Sequence, residues 1–93
     1  MTIPAELAEI RQRIDALDDM IVPLLVERTG LALRASDYKT TTEEIKGADR
    51  VRMVLDKVGV RAANAGGHEE VIQKIYTTII AELTDLQLRK KGV

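Results

Sequence analysis

The apolar residues Leu7, Ile10, Ile14, Leu17, Ile21 and Leu24 step along the chain by three, four, three, four and three. This is coiled-coil spacing, sustained for more than two heptads. Nothing between Glu6 and Lys39 is strong enough to end a helix. Thr2 and Pro4, followed by Glu6 and Glu9, form its start. A proline in the first turn forfeits no intrahelical bond, and acids there face the positive end of the helix dipole. Pro23 removes one backbone bond and is expected to bend the helix locally. Gly30 costs about 1 kcal/mol relative to Ala. Neither stops the helix.

Such a helix is about 50 Å long at 1.5 Å per residue. A compact domain of 93 residues has a radius of gyration of only ~12 Å. One chain therefore cannot cover its own seam, and a second copy is the simplest cover, so a homodimer is expected. The rest of the composition agrees. There is no Trp and no Phe, and Tyr38 and Tyr76 are the only aromatics. A core of Leu, Ile, Val and Ala suits interlocking helices better than a β-sandwich, and at this size it stabilises a lone chain only modestly.

Residues 40 to 48, with Thr40, Thr41, Thr42 and Gly47, read as a loop that has room for one helical turn. Asp49 opens a second helix with Val51, Val54, Leu55 and Val58 on its buried face, and Gly66-Gly67 ends it. A third helix begins near His68-Glu69-Glu70. Its apolar stripe is Ile72, Ile75, Tyr76, Ile79, Ile80, Leu83 and Leu86, and Arg89-Lys90-Lys91 suit its negative end. The expected fold is all-α, with three helices per chain, one of them very long, in a single domain over residues 1–93.

Composition also excludes whole classes of function. Fourteen Lys and Arg against fifteen Asp and Glu leave no basic surplus for binding nucleic acid. With no Cys and only His68, thiolate metal sites, cysteine nucleophiles and histidine-rich metal sites are ruled out. No apolar run is long enough to span a membrane and the N-terminus has no signal pattern, so a cytoplasmic protein without membrane partners is expected. No carboxylate pair, Ser-His-Asp set or phosphate-binding glycine loop is present.

What remains is a set of polar residues where the pattern calls for apolar ones. The seam continued past Leu24 lands on Arg28, Leu31, Ala35 and Tyr38, which puts a cation on the apolar face. Lys39, eleven residues beyond Arg28, falls on nearly the same face about three turns further along. Two cations on an aliphatic face either hold an anion or pair with acids of other helices. In the third helix Ile79, Leu83 and Gln87 lie at i, i+4 and i+8, so a carboxamide extends an apolar stripe. Arg50 shares a face with Val54 at the start of the second helix. Arg11 lies about 25 Å from Arg28 along the first helix, too far to share a small ligand within one chain, but an antiparallel partner could bring them together. His68, Met20 and Met53 are read as a solvated or capping residue and two packing residues.

Taken together, the run from Ile10 to Asp18, the run Leu25-Val26-Glu27-Arg28, Lys39, Asp49-Arg50-Val51, and Ile79-Ile80 with Gln87 resemble the all-helical class of chorismate mutases over essentially the whole chain. The resemblance implies an intertwined homodimer whose two pockets each take one arginine from the neighbouring chain. On that pattern, Arg11 of the partner subunit and Arg28 clamp substrate carboxylates. Lys39 contacts a carboxylate and the ether oxygen, Gln87 donates to the same oxygen, and Arg50 and Leu83 line the pocket. The substrate implied is a small dicarboxylate, chorismate or isochorismate, and the rearrangement requires no metal or cofactor. Two departures stand out. Val51 occupies the place where such mutases typically carry a Glu that holds the ring hydroxyl, and the stretch from Lys39 to Arg50 is one residue shorter than usual. An apolar residue at that place resembles the branch with isochorismate-pyruvate lyases of salicylate synthesis, and also mutases acting on 4-amino-4-deoxychorismate. A non-catalytic helical dimer or regulatory subunit explains the seam equally well, but not Arg28, Lys39 and Gln87 on apolar faces.

Overall fold

The computed structural model describes residues 3–92, and all regular structure among them is helical. Helix α1 spans Ala5–Ser36, α2 Thr42–Lys46, α3 Ala48–Asn64 and α4 Glu69–Lys91. The three long helices are the expected ones. The short α2 is the single turn for which residues 40 to 48 had room. Thr2, read as part of the helix start, lies outside the described residues. Among the described residues no helix is long and apolar enough to cross a membrane. Packing divides the chain into two units, one up to Leu31 and one from Ala32 onward.

The first unit is α1 as far as Leu31. Pro23 sits inside the helix without ending it. The carbonyl deprived of a partner belongs to Asp19, and both residues are exposed, so water can take the place of the missing amide. The heptad seam is open: Ile10, Ile14, Leu17, Ile21 and Leu24 are each about half exposed or more, from 48% to 61%. An aliphatic stripe in that condition stabilises nothing until something covers it.

In the second unit, α4 packs against α3 and α2. The buried apolar residues are Ile45 of α2 and Val58 and Ala62 of α3. Val51, Val54 and Leu55, expected on the same face as Val58, are half-buried, whereas Ile75 on the α4 stripe is exposed. Gly59 permits a close approach here. A Cβ at that position would meet Gln73 Nε2 at 2.5 Å, and this Nε2 donates to the Leu55 carbonyl at 3.0 Å. The α3–α4 turn closes when Gly67 N donates to the Ala62 carbonyl and Ala65 N to that of Arg61. His68 precedes α4 in the left-handed region, φ 61°, without a side-chain capping bond.

One boundary differs from expectation. The first helix ends at Ser36, not Lys39. Asp37, Tyr38 and Lys39 donate their amides to Arg34, Ala35 and Ser36, three residues back, which tightens the chain out of α-helical register. The buried Ser36 hydroxyl donates to the Leu33 carbonyl at 2.6 Å. Lys39 therefore lies beyond the helix, and the reading that placed it on a continuous helical face with Arg28 does not hold.

Candidate active site

Within the second unit the chain reversal after α1 brings Lys39 to α4. Lys39 Nζ donates to Gln87 Oε1 at 3.1 Å, across 48 residues of sequence. Gln87 is 6% exposed, one of two buried polar residues among those described. Its Nε2 donates to the Leu83 carbonyl one turn earlier, at 3.2 Å. A buried carboxamide needs partners, and here its orientation is set at both ends. One N–H is held by its own helix and the oxygen faces a cation; the amide carries one further N–H. Leu83 itself is half-buried. Two residues singled out separately in the sequence thus form one ammonium–carboxamide pair, braced by the Leu83 carbonyl.

The stretch that carries Lys39 is held on either side. Asp37, two residues earlier, accepts from Lys90 Nζ at 2.9 Å, and that ammonium also donates to the Leu33 carbonyl at 3.0 Å. The Asp37 carboxyl lies below its ordinary value of 3.8, chiefly through the hydrogen bond from Lys90 and then through that ammonium's charge. Thr40, one residue later, donates its amide and its hydroxyl to the Glu44 carboxylate at 3.1 and 3.2 Å. Glu44 N in turn donates to Thr41 Oγ1. This is a capping box displaced by one residue, and it holds α2 and Thr40 together.

Arg50 and Val51 lie in the first turn of α3, Arg50 exposed and Val51 half-buried, with Val51 N donating to the Gly47 carbonyl at 2.9 Å. Gly47, at φ 52° and ψ 55°, ends α2 and starts α3 within one residue. Its left-handed backbone makes the sharp reversal possible. On α1, Arg28 is half-buried and Arg11 is exposed. The structure therefore unites Lys39, Gln87 and Leu83, and places Arg50 and Val51 at the α3 start. Arg11 and Arg28 belong to the first unit.

Asp37, Glu44 and Lys90 did not stand out in the sequence. The Thr41-x-x-Glu44 spacing was a legible capping signal. Lys90 resembled any basic residue at a helix end, and its link to Asp37 spans 53 residues. A separate, mainly apolar cavity of about 340 Å³ lies at the α3–α4 turn, lined by Val58, Ala62, Ile72 and Tyr76 among others. It includes none of the candidate residues. Tyr76 precedes Gln87 on α4 by eleven residues, ~16 Å of helix. Among the described residues no three His, Cys, Asp or Glu side chains are grouped to hold a metal ion.

Comparison with known proteins shows the family. The family model for chorismate mutase type II matches residues 10–88. The chain is 31% identical over 84 residues to 4-amino-4-deoxychorismate mutase of Streptomyces venezuelae, an alignment covering 89% of this chain and 82% of that protein.

Proposed function

Because this chain belongs to the chorismate mutase type II family, we propose that its chorismate mutase-type isomerase reaction turns chorismate into prephenate in a pocket built around Lys39 and Gln87. In this rearrangement the ether C–O bond breaks as a C–C bond forms, with no proton to transfer and no covalent enzyme intermediate. The protein has two tasks: to hold a flexible dianion in its reactive shape, and to stabilise negative charge on the ether oxygen as the bond lengthens. The contact between Lys39 and the buried Gln87 amide supports this reading above all. An ammonium and a buried amide meet there from stretches of chain 48 residues apart. The ammonium can leave Gln87 Oε1 for a substrate carboxylate and the ether oxygen, while the remaining Gln87 N–H meets the same oxygen. Both donors are in place before the charge develops.

Two arginines complete the clamp in this reading: Arg28 on one carboxylate and Arg11 of the partner subunit on the other, with Arg50 and Leu83 lining the pocket. The exposed seam of α1 supports a homodimer, since a second copy is the cover that its heptad spacing fits.

Val51 favours a second reading of the substrate. Its side chain cannot hydrogen-bond a ring substituent, so the pocket lacks the buried polar partner that would reject a ligand without the hydroxyl. The relative named above acts on 4-amino-4-deoxychorismate, and in this reading the 4-position carries an amino group in place of the hydroxyl. Incubation of the purified protein with chorismate, 4-amino-4-deoxychorismate and isochorismate in parallel separates the readings. Rearranged product from either of the first two identifies the substrate. Pyruvate and salicylate from isochorismate would move the protein to the lyase branch, and no consumption of any of them would overturn the proposal.

A further inference from the structure

We propose that Lys90 and Glu44 are positioning residues for Lys39, tethering the chain on both sides of it; this rests on the reading of Lys39 as the group that meets substrate. Lys39 lies past the end of α1 and before α2, where no helix fixes its backbone. A lysine side chain also loses more rotamer freedom on ordering than most. Something else must hold it if its ammonium is to wait in one place.

The hydrogen bonds around it do so. On the α1 side, one ammonium, that of Lys90, joins the Leu33 carbonyl at the helix end to the Asp37 carboxylate two residues before Lys39. On the α2 side, the Glu44 carboxylate takes both the amide and the hydroxyl of Thr40, the next residue. Lys90 follows Gln87 by three residues on α4, so both project from one side of that helix. The element that receives the Lys39 side chain therefore also holds Leu33 and Asp37, just before it in the chain. Stability does not account for this arrangement. The Lys90 and Asp37 side chains are 40% and 59% exposed, and Thr40 and Glu44 are exposed as well. Exposed pairs of this kind contribute little to folding. Their common product is a fixed path for residues 37–40, and catalysis is sensitive to small displacements of a reacting group.

The test uses Lys90→Met, Lys90→Arg, Glu44→Ala and the Lys90→Met/Glu44→Ala double variant in the full chain. It measures kcat and KM on the substrate consumed, Tm, and amide hydrogen exchange at residues 38–40. The expected result is a fall in kcat of about two- to five-fold for Lys90→Met and for Glu44→Ala, the factor to which an exposed ion pair corresponds. Tm falls by no more than ~8 °C, exchange at residues 38–40 is faster, and Lys90→Arg recovers the wild-type kcat. In the double variant the two losses multiply. Unchanged kcat with a lowered Tm would make both residues merely structural and overturn the proposal, as would Lys90→Arg behaving like Lys90→Met. If wild-type protein consumes none of the three substrates, the function reading fails independently. Exchange then decides the tethers: acceleration in both variants supports them, and wild-type rates overturn them.

Discussion

Replacing Lys39 by Ala isolates the chemistry from the fold, because its two effects differ greatly in size. In the folded chain Lys39 Nζ lies 3.1 Å from Gln87 Oε1. Removing it leaves an acceptor without its donor on a residue 6% exposed. An unsatisfied buried acceptor costs about 1–3 kcal/mol, and the vacated side-chain volume admits water, which points to the lower end of that range. About 1 kcal/mol lowers Tm by ~4–8 °C in a domain of this size. For the reaction, losing one preorganised donor to a developing oxyanion costs about 2.7–4 kcal/mol, or 10²- to 10³-fold in rate. Lys39→Ala should therefore remain folded at 25 °C by circular dichroism while kcat/KM falls by roughly 10²- to 10³-fold, followed through loss of the substrate's diene absorbance. Gln87→Met, similar in length but without the amide, should also lower the rate. The double variant should lose less than the product of the two single losses, since the pair acts as one unit. A loss below about ten-fold in Lys39→Ala, at a temperature where it is fully folded, would refute the assignment of Lys39 to the reacting oxygen.

The shared pocket predicts complementation between two inactive proteins. Arg11→Ala and Lys39→Ala, unfolded and refolded together, should recover about a quarter of wild-type activity, since half the dimers are mixed and each mixed dimer carries one intact pocket; no recovery would place both residues in the pocket of a single chain. Gly47→Ala should destabilise by about 1 kcal/mol through its left-handed backbone alone, because the added Cβ meets nothing closer than 3.5 Å, and the midpoint of urea unfolding measures this. Asp37 provides a pH signature. Its folded carboxyl is held below 3.8 by Lys90, so its contribution is present above the unfolded value and is lost as pH falls through the lowered folded value. Because the pair is exposed the loss is small, and acid titration of stability should show it in wild type and lack it in Asp37→Asn.

The long first helix, the loop with one turn in it, and the two helices after it were all written in local order: heptad steps from Leu7 to Leu24, the Thr41-x-x-Glu44 spacing, Gly47, and Gly66-Gly67. Those signals act over a few residues, so one strand of text contains both halves of each. The polar anomalies were legible for the same reason, as Gln87 departs from the Ile79–Leu83 stripe within two turns. The partners of those residues were not. That Gln87 faces Lys39 and that Lys90 reaches Asp37 depend on how the chain turns after Ser36, where buried Ser36 and three short-range amide bonds end α1 earlier than its apolar pattern does. The helices, their apolar faces and the types of residue available for chemistry follow from the order of residues alone, because helix period and charge are properties of neighbours along the chain. Which of those groups meet is a matter of the folded chain, because an ammonium and a carboxamide 48 residues apart find one another through packing, which no local pattern encodes.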